Sequence, residues 1–427
     1  MKKFLAVCLT AFLMFNSTAY ALSSLQRNDY AFGSIEMLII DDLFEDETFA
    51  ESLDEHLISV FGEEFLNNHD RSMVVVNEIY SLFPSNRLGY TVYPEFFGGM
   101  FIDEYGNLVV HLINDEVART RSIQDLGNIE FILEQNVIIS HTNHSYNYLN
   151  RLIEYIHGFM LDNAESYVAR YVSHMYLSVR SNKVVVALNN YNEDIKALFR
   201  HIVTDSPAIK LTEAQIGFGF NFQHDHYDLV ENSLYLEDNI CVLSIDSRGP
   251  ITARPGMGVD RFTIGYRAAV NGVQGVVTAG HAVYLNQRIG LFGTVTGRMR
   301  SINVDAAFIE VTENVTLSNN FFMQEGQLNP WTTHPVEGAR VTMLGARTGS
   351  FQSGIISSTN FAYSILTGLV LTDVFGQEGD SGGPVFTGTA ASNNLIGIIT
   401  GGRTGGGHGA FFTRESNIRS ALRAAPF

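Results

Sequence analysis

The sequence predicts an all-β domain over residues 249–427, preceded by an α+β region of two related lobes within residues 22–248. Two observations predict the division. From Gly258 onward, short apolar-alternating runs are punctuated by Gly, Asn and Thr about every 8–12 residues, the signature of a sandwich or barrel. The charge is also unevenly spread. Residues 250–427 hold 12 Arg, no Lys and 10 acids, a net of +2, whereas the chain as a whole stands at −18. The preceding part therefore carries about −20. A third observation predicts the lobes: a hairpin pattern occurs twice before residue 204.

The elements follow in order. Met1-Lys2-Lys3, the apolar run Phe4 to Phe15 and Ala19-Tyr20-Ala21 read as a secretory signal over residues 1–21, too short to span a bilayer. An exported chain without a membrane anchor is expected. Cys8 falls within that signal, so only Cys241 would remain and no intramolecular disulfide is available. Phe44 to Phe65 has helical spacing at Leu53, Leu57, Val60 and Phe61. Gly98 to Leu112 reads as a hairpin around Tyr105-Gly106-Asn107, and Met175 to Leu188 as a second, with Asn182, Val184 and Val185 matching Asn107, Val109 and Val110. Helical stretches follow at Ser145 to Leu161 and Asn192 to Ile202, giving lobes near 98–161 and 170–203. Residues 204–248 read as a connection, with Ser247-Arg248-Gly249-Pro250 turn-like and exposed.

The β-rich part offers ten candidate strands: Phe262–Ala269, Gly275–Thr278, Arg288–Thr294, Ala306–Val311, Arg340–Leu344, Gly354–Ser357, Leu369–Thr372, Pro384–Phe386, Leu395–Ile399 and Ala410–Thr413. Glu415 to Arg423 reads as a closing helix.

The chemistry gathers at Gly376-Gln377-Glu378-Gly379-Asp380-Ser381-Gly382-Gly383-Pro384. A serine hydroxyl becomes a nucleophile only where a base takes its proton and donors meet the developing oxyanion. Gly379-Asp380-Ser381-Gly382-Gly383 matches the G-x-S-x-G elbow, but no acid lies between Ser381 and the single downstream histidine, His408. The order Ser, acid, His is therefore missing. Upstream, Val277-Thr278-Ala279-Gly280-His281 ends an apolar strand in a histidine, and Asn303-Val304-Asp305-Ala306-Ala307-Phe308 sets a lone acid in another. The order is His, Asp, Ser.

On these motifs the chain resembles the chymotrypsin-like serine peptidases. The short run from His281 to Asp305 is similar to the bacterial alpha-lytic protease and streptogrisin branch. The resemblance implies a double six-stranded barrel with a catalytic triad at its seam: Ser381 as nucleophile, His281 as base, Asp305 holding the ring. It implies an oxyanion hole from the N–H groups of Gly379 and Ser381. Thr400, Gly401 and Gly402 would pair with substrate backbone, and Phe375, Gly376 and Ile399 would line an apolar primary pocket. Arg403 and His408 make an acidic side chain, hence a glutamyl-specific enzyme, the alternative. Asp380 would bond a buried partner that the sequence leaves unassigned. Residues 22–248 would be a pro-region that assists folding of the protease and inhibits it, and the mature start falls near 240–256. The branch usually carries a cysteine after the catalytic histidine; here Ala282 stands there.

No cofactor or metal is expected, and a monomer acting on polypeptides is. His224-Asp225-His226-Tyr227-Asp228, and His141 with His144, carry ligand-type side chains, but read as loop residues. Gly405-Gly406-Gly407-His408-Gly409 lacks a phosphate-loop lysine and reads as a loop. Dispersed arginines nearly balanced by acids exclude a nucleic-acid surface. Two rival readings remain: a catalytically silent homologue that binds a partner, and an N-terminal half kept as a permanent binding module.

Overall fold

The computed structural model describes residues 53–86, 91–113, 137–214, 218–219, 251–387, 393–403 and 407–427. The first expected helix appears as α1 (Leu53–Phe61) and α2 (Glu63–Leu82). They are separated by Gly62 at φ 78°, and the part before Leu53 lies outside the described residues. The signal and residues 220–248 lie outside them too.

Both hairpins form. Strands β1 (Phe97–Ile102) and β2 (Leu108–Ile113) pair antiparallel, and β3 (Ile138–Thr142) joins β2 in parallel. Helix α3 (Tyr146–Asp162) starts where Ser145 Oγ accepts from the Tyr148 amide, satisfying one of the first free N–H groups. Strands β4 (Val172–Ser178) and β5 (Lys183–Leu188) pair antiparallel, then come α4 (Glu193–Ile202) and β6 (Ile209–Glu213), parallel to β5. Both lobes thus share the order helix, hairpin, parallel third strand. On that order α3 reads as the first element of the second lobe, where the sequence pattern had suggested the last of the first. Strand β7 (Phe218–Gly219) is the last element of this half among the described residues.

The C-terminal half is built mainly from strands among the described residues. Strands β8 (Ile251–Ala253), β9 (Gly258–Val259), β10 (Phe262–Thr263), β11 (Tyr266–Val270), β12 (Val273–Thr278), β13 (Arg288–Ile289), β14 (Gly293–Ser301), β15 (Val304–Val311) and β16 (Val315–Leu317) build the first barrel region. Its main sheet runs β13-β14-β15-β12-β11 and takes β26 (Ala425–Pro426) as a sixth strand. Two expected strands are each split in two, at Ile264-Gly265 and at Gly290 to Phe292. The second barrel comprises β18 (Arg340–Leu344), β19 (Phe351–Tyr363), β20 (Leu366–Thr372), β22 (Pro384–Thr387), β23 (Asn393–Arg403) and β25 (Phe411–Arg414). It closes, because β18 pairs with β22 at one end of the order and with β19 at the other. Between these lie β17 (Leu328–Thr332), β21 (Phe375–Gly376) and β24 (Gly407–His408), and α5 (Glu415–Leu422) closes the chain as expected. Among the described residues no helix is long and apolar enough to cross a membrane.

Residues 50–427 form one compact unit, and the two halves meet in three ways. Strand β4 adds to β19, with Tyr176 opposite Phe361 and Met175 opposite Ala362, so the second hairpin extends the sheet of barrel two. An apolar core joins Leu149, Ile153, Leu177 and Val186 to Val341, Ile356 and Val370. Buried polar groups cross as well. Glu337 accepts from the amides of Val179 (2.6 Å) and Arg180 (3.3 Å), and its own carbonyl accepts from Ile102 N (2.8 Å). Arg340 donates its amide to His69 Nε2 (3.2 Å) and its guanidinium to Asp70 (2.9 Å). Gly338, at φ 80°, allows the approach, since a Cβ there would fall 1.9 Å from the Ile102 carbonyl oxygen.

Candidate active site

Strand β12 ends at Thr278, Ala279 stays extended, and a single 3₁₀ turn from Gly280 to Ala282 lifts His281 out of the sheet. Arg298 Nε secures that turn by donating 2.7 Å to the Gly280 carbonyl. His281 Nδ1 lies 2.6 Å from Asp305 Oδ2. Asp305 sits on β15 opposite Arg300 and is fully buried, while the histidine ring remains partly open to solvent. A buried carboxylate this close favours a proton on Nδ1 and leaves Nε2 to accept another.

Ser381 lies in the turn between β21 and β22, and main-chain bonds tie that turn to both barrels. From barrel one, Thr263 N donates to the Ser381 carbonyl (3.0 Å) and Thr263 Oγ1 to the Gly379 carbonyl (2.8 Å). From barrel two, Ile399 O accepts from Gly382 N (2.8 Å), and Ile399 N donates to Gly383 O (2.9 Å). Gly382 sits at φ 94°, and a Cβ on it would meet Thr278 Oγ1 at 2.2 Å and the Thr263 carbonyl at 2.4 Å. Only glycine lets the serine turn lie against the strand that leads to His281.

Asp380 is buried, and its partners are main-chain amides joined by the Thr348 hydroxyl, which donates to Oδ1 at 3.4 Å. Oδ1 accepts from the amides of Arg347 and Thr348, and Oδ2 from that of Gln377, each at 2.9 Å. Burial pushes its carboxyl up, and these amides oppose the shift. The sequence left this partner open because a backbone amide has no residue signature.

Behind Ser381, Thr400 and Ile399 are buried in β23. Gly401 lies opposite Phe411, and Gly402 opposite Gly219 of β7. The N-terminal half thus lays a strand antiparallel along Gly402-Arg403, which overlaps at Gly402 the segment where the resemblance puts substrate backbone. Phe375 and Gly376 pair with His408 and Gly407. The His408 ring meets Phe375 edge-on at 5.8 Å, and its Nδ1 donates to the Asp373 carbonyl (2.8 Å). The structure thus brings His281, Asp305 and the Ser381 turn to one seam, with Ile399, Thr400, Gly401 and Gly402 beside them and Phe375 and Gly376 on the adjoining ribbon. Sequence reasoning missed Thr263, a threonine in a strand that nothing marks before the strands are assembled.

His224 to Asp228 lie outside the described residues. His141 stands in β3 and His144 in the loop before α3, whose backbone donates to Asn182. Among the described residues no group of His, Cys, Asp and Glu is placed to hold a metal ion.

Comparison with known proteins finds two Pro-like domains in the N-terminal half. Residues 45–137 match the model of a Pro-like N-terminal domain and residues 147–214 that of a Pro-like C-terminal domain. The chain is 30% identical over 159 residues to streptogrisin A of Streptomyces griseus, which covers 35% of this chain and 52% of that one. It therefore spans about half the length of the curated relative it matches. Among solved structures it is similar to Thermobifida fusca protease A, at 23% identity and TM-score 0.36, covering 41% of this chain and 98% of that one. Cellulomonas bogoriensis chymotrypsin is similar at 24% identity and TM-score 0.36, covering 42% and 99%.

Proposed function

We propose that this chain, a relative of the streptogrisins with Pro-like domains ahead of its β-rich half, is a secreted serine endopeptidase made as a precursor. Its organisation would be a signal over 1–21, a pro-region over 22–248 and a protease domain over 249–427. The observation that carries this reading is the 2.6 Å contact of His281 with buried Asp305, beside a serine turn bonded to both barrels. Ser381 Oγ attacks the scissile carbonyl while His281 Nε2 takes its proton. The N–H groups of Gly379 and Ser381 meet the oxyanion, and loss of one such donor typically costs about 10²–10³-fold in rate. His281 then protonates the leaving amine, and water releases the acyl group from Ser381 by the reverse steps. Asp305 keeps the ring oriented and offsets its charge.

The pairing of β7 with β23 supports an inhibitory role for the pro-region, since β-strand addition there competes with substrate. Phe375, Gly376 and Ile399 favour an apolar P1 side chain such as Leu, Met or Phe. A second reading has one observation behind it: Arg403 packs over Gly409, next to His408 in the chain, placing a guanidinium by the same ribbon, which would suit an acidic P1.

Labelling with a fluorophosphonate tests the activity. Wild type should label and hydrolyse casein, and Ser381→Ala should do neither while keeping its fold. His281→Ala should lose as much, because triad members act as a unit. Casein hydrolysis by contaminant-free Ser381→Ala at the wild-type rate would end this reading, and an unlabelled, folded wild type would favour a silent homologue. Cleavage of a peptide library, dominated by Glu or by Lys and Arg, would reject the apolar pocket.

A further inference from the structure

Asp305 belongs to barrel one but is held from barrel two. Its main-chain N–H donates to Thr413 Oγ1 on β25 at 3.3 Å. Thr413 is fully buried, and its Oγ1 lies 2.7 Å from the hydroxyl of Thr400, equally buried on β23. Thr400 Oγ1 in turn reaches the Ile398 carbonyl at 3.5 Å. The Thr413 hydroxyl accepts from the Asp305 amide, which can only donate, and shares a second hydrogen bond with the Thr400 hydroxyl. Hydrogen bonds thus run from the backbone of the acid into the strand beside the substrate position.

The turn before Asp305 is fastened to barrel two as well. The β14–β15 hairpin turns at Ile302-Asn303, with Ser301 opposite Val304. Ile302 adopts φ 46°, costly for a β-branched residue. Its carbonyl accepts from Thr367 N (2.5 Å), and the Asn303 carbonyl accepts from Asn417 Nδ2 (3.2 Å). Asp305 thus hangs between a clamped turn and Thr413.

We propose that Thr413 is a positioning residue for the reaction: its hydroxyl fixes the Asp305 main chain, and through it the 2.6 Å contact with His281, while tying both to Thr400. This rests on reading Asp305 as the acid of the triad. A valine at 413 keeps the shape and removes the acceptor, so the Asp305 amide becomes a buried orphan and the backbone shifts to relieve it.

The test uses enzyme produced from the full chain. Thr413→Val should lower kcat by about tenfold and leave KM within about twofold, the split expected when an interaction made in the transition state is weakened. The far-downfield proton resonance of His281 Nδ1 should move upfield in the same variant. Thr413→Ser, which keeps the hydroxyl, should restore both. Wild-type kcat with an unmoved resonance in Thr413→Val overturns the proposal, and so does Thr413→Ser impaired as deeply as Thr413→Val. Should Thr413→Val fail to fold, Thr400→Val reads the same chain from its other hydroxyl, and an unmoved resonance there overturns it. An inert wild type would sink the protease reading alone, because the resonance decides the role of Thr413 without turnover.

Discussion

At the scale of single residues, the site depends on one glycine as much as on its reactive groups. Gly382→Ala adds a methyl where 2.2 Å separates it from Thr278 Oγ1, at a φ of 94° that alanine resists. The variant should lose roughly 2 kcal/mol or more of stability and most of its activity, read by thermal melting and by fluorophosphonate labelling. A stable, fully active Gly382→Ala would show that the turn is not held where it lies. Much at this scale was legible beforehand. His281, Asp305 and Ser381 stand in motifs whose local backbone is part of the pattern. Asp380 was legible as an acid with a buried partner but not by which groups bond it, since Arg347 and Thr348 contribute amides that any residue would supply. Thr413 was not legible, because its contact with Asp305 joins strands 108 residues apart.

At the scale of elements, helix starts were readable wherever a side chain does the capping. Asn192 Oδ1 accepts from Ile195 N at 2.9 Å, and α4 begins at the next residue. Asn192→Ala should cost about 1 kcal/mol, seen as a lower denaturant midpoint with an unchanged slope; no change in midpoint would assign the start of α4 to packing alone. Strand limits were less readable. The expected Gly354–Ser357 lies within Phe351–Tyr363, because β19 has partners on both sides and three register shifts carry it past the local alternation. The expected Arg288–Thr294 divides because Gly290, at φ 46°, turns the chain into the β13–β14 hairpin. The place of β4 beside β19 depended on an edge that only the closed barrel defines.

At the scale of the whole molecule, the charge asymmetry was plain in the sequence, yet the halves join through strand pairing, apolar burial and a few buried polar groups rather than through net charge. Two of these titrate in opposite senses. Burial pushes Glu337 up to about 7, against the amides of Val179 and Arg180 and the charge of Arg180, with Tyr176 nearby. A carboxyl raised on assembly favours the joined halves fully below its ordinary 4.5, and that contribution fades as pH rises through about 7. Its full range is roughly 3 kcal/mol. Burial lowers His69, beside Asp70 and Arg340, so its contribution holds above 6.5 and is lost as pH falls. In a Ser381→Ala background, Glu337→Gln should raise the melting temperature at pH 8.5 relative to pH 5, and His69→Gln should do the reverse. Parallel melting curves for both variants and their parent would refute the opposed titrations.

The same joining bears on folding. Glycine is 27 of residues 250–427, about twice the usual ~7%, and the barrels are built from distant pairings, which form slowly. Residues 250–427 refolded from denaturant should regain activity only with residues 22–240 added, and should still do so in high salt, since apolar burial and the β4–β19 ladder carry the contact. Equal recovery without the added chain would deny the N-terminal half a part in folding.

The strand Phe218–Gly219 lies along Gly402-Arg403 as part of the same polypeptide. A segment on the same chain meets its partner strand at a local concentration set by the tether and not by how much protein is present. Dilution cannot relieve a rival that travels with its target. Severing the chain converts that fixed local excess into an ordinary bimolecular equilibrium, and the protein's total concentration then sets how much of the groove stands open.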